Sequence, residues 1–276
     1  MKSKSKRKSK QIWIHVILIV GSILMILPFI WMFLTSGKTI SESVQVPPTI
    51  FFENFQWENY TNVWGALPFI KFFLNTFLMI AGRVVGSVLF SAMAAFAVAK
   101  LDFPGKNLFF WLVLTQMMIP AQIFITPQYL MVQRLGLLNT VTALVLPGIV
   151  SAFGTFLLRQ FFMGLPDELG EAAVIDGASV WQTFSRIYLP LARSGMIALS
   201  IFTALFAFKD LMWPLIVNMS LEKMPLSSGL ASLQGQFTTN YPELMAGSVI
   251  AMLPMLILYA FFQKQFIEGI ATTGGK

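Results

Sequence analysis

The chain has 276 residues, 56% of them hydrophobic, and a mean hydropathy of +0.73. A soluble core of this length cannot bury so much apolar surface, so an integral membrane protein is predicted. The net charge is +7, and six of the 19 Lys and Arg residues lie in the first ten positions, directly before an apolar run. This placement is typical of a cytoplasmic flank held against anionic lipid, not of a nucleic-acid-binding patch.

The first element is a basic tail, residues 1–11, followed by an apolar run over 12–34. The run is too long for a signal-peptide core and no A-x-A cleavage pattern follows it, so we predict a retained first helix. Five further stretches approach the roughly 20 apolar residues that cross a bilayer. The all-α chain is thus predicted to have about six transmembrane helices in a single membrane domain (12–276), at approximately 12–34, 73–99, 107–127, 141–162, 195–217 and 244–263. The third span is the weakest because Pro120 and Pro127 interrupt it, and a count of five helices is the alternative.

The basic residues indicate the orientation, since cytoplasmic segments carry most of the Lys and Arg. With the N-terminus inside, the inner segments hold Lys2, Lys4, Lys6, Arg7, Lys8, Lys10, Lys100, Lys106, Arg159, Arg186, Arg193, Lys264 and Lys276. The outer segments hold only Lys38, Lys71, Arg134 and Lys223. We therefore predict a multi-pass protein of the plasma membrane with both termini cytoplasmic, outer loops at about 35–72, 128–140 and 218–243, and a long inner loop at 163–194.

Small residues recur along one side of the second span. Gly82-x-x-x-Gly86 is followed by Ser91, Ala95 and Ala99 at four-residue spacing. Such a stripe lets helix backbones approach closely, so it predicts tight packing and nothing about function.

The inner loop 163–194 contains signals for two short helices. Pro166 suits a first helical position with the acidic residues Asp167 and Glu168 in the first turn, and Gly177 suits a left-handed end. Ser179 and Gln182 then form an S-x-x-Q capping box, and Pro190 should end or kink the second helix. The small side chains of Ala172, Ala173, Gly177 and Ala178 would let another protein pack against this elbow, although an amphipathic connector on the membrane surface is the alternative.

This loop resembles the EAA motif in permease subunits of bacterial ATP-binding-cassette (ABC) importers. Glu171-Ala-Ala, three residues, Gly177, nine residues and then Ile187-Tyr-Leu-Pro190 match every defined position. The resemblance implies the type I permease fold, with a coupling helix over 171–183 that sits in a cleft of the ATPase. By the same implication the coupling residues are Glu171, Ala172, Ala173, Asp176, Gly177 and Ala178. We call residues 163–194 the EAA loop.

Further segments are similar to the carbohydrate-importer class that includes the smaller maltose permease subunit. These are Asn59-Tyr60, Asn75-Thr76, Ala99–Gly105, Met118–Pro120, Gly136–Asn139, Ile175–Ala178 and Gln263–Gly269. One departure is Phe208-Lys209-Asp210, where this class has Trp-Asn before an Asp. The resemblance implies a sugar importer working by alternating access, without cofactor or catalytic residues of its own. Its implied partners are a second homologous permease, a cytoplasmic ABC ATPase dimer that uses the ATP, an extracytoplasmic solute-binding protein, the sugar and membrane lipid, but no nucleic acid.

Polar residues within or beside the spans are candidates for a substrate pathway. Arg83 and the Lys209-Asp210 neighbours are costly in hydrocarbon and should face protein or water. A sugar needs hydrogen bonds and aromatic faces, which gives the candidate pathway residues Gln116, Gln128, Tyr129, Lys209, Asp210 and Trp213. Helix-packing roles for these side chains are the alternative.

Two features that resemble enzyme motifs are weak. His15 is the only histidine and there is no cysteine, so a histidine metal cluster, a multi-histidine relay and a thiolate site are not predicted. The ending Gly269–Lys276 has the wrong spacing for a phosphate-binding loop. An ion-coupled transporter or channel, a membrane enzyme, and an ABC permease for another solute such as a phosphorylated polyol remain open at this point.

Overall fold

The computed structural model describes residues 2–235 and 239–271, and every regular element in this part of the chain is helical. The α-helices are α1 Lys2–Ser36, α2 Ile40–Val44, α3 Glu58–Ala66, α4 Phe69–Lys100, α5 Lys106–Met118, α6 Ile125–Arg134, α7 Val141–Val145, α8 Ala152–Met163, α9 Glu168–Ile175, α10 Val180–Gln182, α11 Leu189–Leu191, α12 Arg193–Lys209, α13 Met212–Val217, α14 Leu226–Ala231 and α15 Tyr241–Ala271. Short 3-10 turns lie at Ala121–Phe124, Leu146–Gly148 and Leu221–Lys223, and a π-helical segment at Thr183–Tyr188. The last five residues of Gly269–Lys276 lie outside the described residues.

Two of the described helices are long and apolar enough to cross a membrane without a break: α1, over Trp13–Ser36, and α4. Three bent pairs bring the number to as many as five, and a shorter apolar helix covers Tyr241–Ile257. All six predicted regions are therefore helical. Three of these regions are broken rather than straight. The third bends by 102° between Met118 and Ala121, the fourth bends by 46° between Gly148 and Ala152, and the fifth is interrupted after Lys209. A further bend of 75° lies between α11 and α12, before the predicted fifth span begins.

Proline accounts for the breaks, because it cannot donate to the carbonyl four residues earlier and its ring clashes there. Pro120 ends α5 at Met118, whereas Pro127 lies in the first turn of α6, where its missing N–H is not needed. Pro214, in the first turn of α13, cannot bond the carbonyl of Asp210. Ser227 Oγ donates to that carbonyl instead, at 2.7 Å. The same relation holds at Pro147, where the indole Nε1 of Trp213 donates to the freed carbonyl of Ala143 at 2.9 Å.

The chain forms two compact units, 1–67 with 230–256, and 68–229 with 257–276. In the first unit, the predicted outer loop 35–72 contains α2 and α3 rather than irregular chain. Glu42 forms a capping box with Thr39 and also accepts from the backbone N–H of Glu53 at 2.9 Å. These backbone donors hold the pKa of Glu42 below its ordinary value. Lys38 is buried, donates to the carbonyl of Thr49 and lies over the ring of Trp31.

In the second unit α4 packs chiefly against α8 and α12. A Cβ on Gly82 would lie 2.8 Å from the Val145 side chain, and one on Gly86 would lie 2.7 Å from Ile149. The tight packing predicted from the Gly82-x-x-x-Gly86 motif is therefore present. A buried cluster at one end of α4 contains Phe96, Phe162, Phe184 and Tyr188, and a second towards the other end contains Met79, Leu144 and Trp213.

A candidate coupling loop and a candidate solute cavity

The EAA loop folds into the two short helices that its sequence predicts. The first, α9, begins at Glu168, slightly later than Pro166 suggests, with Asp167 as the preceding residue. Gly177 has a φ of 80°, a left-handed conformation that most side chains disfavour. Ser179 and Gln182 make both hydrogen bonds of the capping box. The chain ends α11 just after Pro190 and turns into α12 at Arg193.

Lys100, the last residue of α4, holds the start of this loop. Its Nζ donates to the carbonyl of Leu165 at 2.7 Å and pairs with the carboxylate of Asp167. The same ammonium lies 5.3 Å from the ring centroid of Tyr188. The Lys100 side chain is only 6% exposed, so this ion pair is shielded from water at the lysine. The sequence places Lys100 among the inner basic residues and in the Ala99–Gly105 segment, but does not indicate this contact with the EAA loop.

Tyr188 forms the second attachment. Its ring packs in the cluster with Phe96, Phe162 and Phe184, and its hydroxyl donates to the carbonyl of Pro166 at 3.3 Å. A Cβ on Gly170 would lie 2.8 Å from that hydroxyl, so the glycine at this position admits the ring. The EAA loop is therefore attached to α4 at two places. Lys100 holds the segment just before α9, and Tyr188, the last residue of the π-helical segment, packs against Phe96 of α4.

Part of the loop surface is exposed and apolar. Val174 and Ile175 are 67% and 86% exposed, and Val180 and Trp181 are also exposed. Of the predicted coupling residues, Glu171, Ala172, Asp176 and Gly177 are exposed and Ala178 is half-buried. Ala173 is only 6% exposed, because it packs against its own chain. It therefore offers little surface to another protein, contrary to the expectation for its small side chain.

A cavity of about 680 Å³ lies where the third, fourth and fifth spans are broken. Five of the six predicted pathway residues line it: Gln116, Gln128, Lys209, Asp210 and Trp213. Tyr129 does not, because it packs against the cluster that contains Met79 and Val132. We call this space the Arg83 cavity, since Arg83 also lines it. Irregular backbone at membrane depth is tolerated where it lines such a cavity.

Arg83 is the ionic centre of this cavity, and sequence reasoning did not place it among the pathway residues. Its Nε donates to the carbonyl of Leu144 at 2.7 Å, and its Nη1 donates to Asp210 Oδ2 at 2.8 Å. Asp210 is thus paired with Arg83, 127 positions away, and not with its neighbour Lys209. Its other oxygen accepts weakly from the backbone N–H of Trp213 at 3.4 Å.

Comparison with known proteins agrees with this geometry. Residues 87–271 match the family model described as binding-protein-dependent transport system inner membrane component. The chain is 32% identical over 272 residues to the sn-glycerol-3-phosphate transport system permease protein UgpE of Yersinia pestis bv. Antiqua, covering 96% of this chain and 97% of that one. It is 42% identical over 193 residues to the arabinooligosaccharides transport system permease protein AraQ of Halalkalibacterium halodurans, covering 70% and 69%.

A solved structure supports the fold. The crystal structure of a bacterial ABC transporter involved in the import of the acidic polysaccharide alginate superposes with a TM-score of 0.76 at 22% identity, covering 92% of this chain and 95% of that one. The matched residues include the whole EAA loop and every residue given above for the lining of the Arg83 cavity except Arg83, which lies four positions before the match begins. The chain therefore belongs to the binding-protein-dependent transport system inner membrane components, as a multi-pass membrane permease subunit that is not an enzyme.

Proposed function

We propose that this chain is one of two homologous permeases that together carry a saccharide into the cell, driven by ATP hydrolysis in a separate cytoplasmic ATPase dimer. The names of several relatives support a sugar or sugar-like solute: arabinooligosaccharides for one and diacetylchitobiose for a permease of Streptomyces coelicolor. A glycerol phosphate is the solute in the name of another relative. An extracytoplasmic binding protein would deliver the solute, and ATP would bind only to the ATPase.

One observation carries the coupling role of the EAA loop: the loop is fixed to the end of α4 and also exposes the apolar side chains of Val174 and Ile175. A surface with bulky apolar side chains is suited to a protein cleft. Because Lys100 and Tyr188 hold the loop to α4, displacement of the loop would move that helix as a rigid body. In this arrangement the EAA loop faces the cytoplasm, as the distribution of basic residues predicts.

Helix α4 then connects the two sites. Lys100 and Arg83 are 17 positions apart on this unbroken helix, which corresponds to about 25 Å at the usual rise per residue. A shift of the EAA loop therefore reaches the Arg83 cavity through one helix and its packing on α8 and α12. Repeated closure of the ATPases would open the cavity alternately to each side of the membrane, with no covalent step in this chain.

The test is uptake of labelled solutes by cells that carry the complete transporter, with wild-type chain or with Glu171→Ala or Gly177→Arg. The solutes are arabinotriose, diacetylchitobiose and sn-glycerol 3-phosphate. We expect wild-type cells to take up at least one of the saccharides. In both variants uptake of that saccharide should fall about tenfold, while the amount of chain in the membrane is unchanged. The arginine would place a large charged group on the exposed turn, where a Cβ meets nothing within 4 Å.

Two controls separate coupling from folding. Gly177→Asn keeps a residue that tolerates the left-handed conformation, so it should retain most of the uptake. Glu222→Ala removes an exposed carboxylate whose pKa is held down by Lys71, on the predicted outer side, and should leave uptake unchanged. Normal uptake by both Glu171→Ala and Gly177→Arg would contradict the coupling role. Uptake of glycerol phosphate but of neither saccharide would replace the solute class.

A further inference from the structure

Arg83 is held in place on several sides. Leu144 accepts from Nε, Asp210 accepts from Nη1, and the aliphatic stem passes Gly148, where a Cβ would lie 2.5 Å from Cδ. Leu144 is the second-last residue of α7, just before the 3-10 turn Leu146–Gly148. Arg83 therefore satisfies a carbonyl at one broken span and a carboxylate at another, and it reaches both from the unbroken helix α4.

The described lining of the Arg83 cavity contains three charged groups: Arg83, Lys209 and Asp210. The Arg83 side chain is 10% exposed and that of Asp210 22% exposed, so water screens this pair only partly. Lys209 is exposed at the end of α12, so this chain encloses its charge less than it encloses the ion pair. The remaining polar lining includes the amide side chains of Gln116, Gln122 and Gln128. The ion pair therefore presents a near-neutral, hydrogen-bonding wall to a solute.

We propose that the intact Arg83–Asp210 ion pair keeps the pathway from favouring either neutral or acidic solutes. Loss of either charge would make the pathway discriminate between them. This inference rests on the proposed function, because it concerns what passes through the same chain. With both partners present, neither charge is free to attract or repel a solute, and hydroxyl groups bind to amides and to the outer edge of the pair. When one partner loses its charge, the other becomes an uncompensated charge in a poorly screened cavity.

The two single neutralisations should act in opposite directions. Asp210→Asn frees the guanidinium of Arg83, so acidic solutes should gain relative to neutral ones. Arg83→Gln frees the carboxylate of Asp210, so acidic solutes should lose. For a partly screened charge several ångströms from the solute, a change of about tenfold in the acidic-to-neutral uptake ratio is expected in each direction. Loss of structure alone would lower uptake of both solutes and would not shift the acidic-to-neutral ratio in opposite directions in the two variants.

The experiment measures uptake of a neutral probe, arabinotriose, and an acidic probe, an alginate trisaccharide, at matched concentrations in cells with the complete transporter. All variants use the same binding protein, so a change in the ratio comes from the permease. The ratio also cancels differences in the amount of chain in the membrane. The variants are Arg83→Gln, Asp210→Asn and the double variant, in which both charges are gone and the ratio should return to within about twofold of wild type.

Three control variants test whether the ion pair itself, rather than the total charge, sets the ratio. Arg83→Lys keeps the charge balance and should keep the wild-type ratio. Lys209→Gln removes one positive charge from the same cavity outside the pair, and it should shift the ratio less than Arg83→Gln does. Lys71→Gln removes an exposed, ion-paired cation from the same helix α4 but outside the cavity, and it should not shift the ratio. Equal shifts for Lys209→Gln and Arg83→Gln would show that only total charge matters and would overturn the role of the pair.

The possible outcomes distinguish failure of the ion-pair inference from failure of the proposed saccharide import. If wild-type cells take up neither probe nor any other saccharide, the proposed function fails and this inference fails with it. If wild-type cells import a saccharide and the ratio shifts in the same direction, or not at all, in Arg83→Gln and Asp210→Asn, only the inference is overturned.

Discussion

The EAA loop and the Arg83 cavity differ in how their structure arises from the sequence. In the loop, the features that shape the backbone act over a few residues: Gly177 in its left-handed turn, and the capping box between Ser179 and Gln182. In the cavity, the strongest contacts join distant parts of the chain, such as Arg83 with Asp210 and Trp213 with Ala143. Local devices are readable from spacing, whereas distant contacts depend on which helix faces are brought together by packing.

Substitution of Lys100 is expected to have the largest effect, because this side chain attaches the locally folded loop to the distant helix α4. In Lys100→Met the apolar stem stays, but the carbonyl of Leu165 and the carboxylate of Asp167 lose their donor. We expect uptake to fall about tenfold, because the partly buried carbonyl of Leu165 loses its hydrogen bond, worth about 1 kcal/mol, and the loop is no longer held to α4 by the ammonium group. Uptake and co-purification of the ATPase with the permease are the two measurements.

The matched control is Lys106→Met. Lys106 pairs with the fully exposed side chain of Asp102 at (i, i+4), so solvent screens this contact and it contributes little. Uptake should stay within about twofold of wild type in this variant. If Lys100→Met behaves like Lys106→Met, the EAA loop does not depend on its attachment to α4.

Gly148 tests the cavity side of the comparison with an intermediate effect. Gly148→Val places carbon atoms on the stem of Arg83 and would force the guanidinium away from Leu144 and Asp210. Overpacking of this kind typically costs about 1–3 kcal/mol, so the unfolding temperature in detergent should fall. Gly65→Ala is the matched control, because its Cβ meets nothing within 4 Å and alanine favours the helix by up to about 1 kcal/mol. Equal unfolding temperatures for the two variants would show that Arg83 has room to move.

Trp213 gives the smallest effect and sharpens the assignment of the predicted pathway residues. The side chain lines the cavity but Trp213 is only 5% exposed, and its indole N–H is used by Ala143. Trp213→Phe should therefore lower stability by about 1 kcal/mol while the KM for uptake changes less than twofold. A large rise in KM at unchanged stability would mean that the indole binds the solute directly.

Much of the candidate site could be predicted because its residue types are unusual in their surroundings. Charged and amide side chains near spans have few stable positions in a membrane other than a cavity or a helix interface, and five of the six predicted residues do line the cavity. Tyr129 was misplaced because an aromatic residue packs equally well in an apolar cluster. Ala173 was misplaced because a small side chain fits both a docking face and a helix contact.

The sequence by itself determined the membrane class, the six helical regions, the close packing at Gly82 and Gly86, and the two helices of the EAA loop. These depend on composition, apolar run length and short-range backbone chemistry, which are written in neighbouring residues. Only the tertiary structure decided how far the third span bends, that the fourth and fifth are also broken, and which groups satisfy the freed carbonyls. It also decided that Asp210 pairs with Arg83 rather than with Lys209. A buried charge or carbonyl takes whichever partner packing brings within hydrogen-bonding distance, and that partner can lie anywhere in the chain.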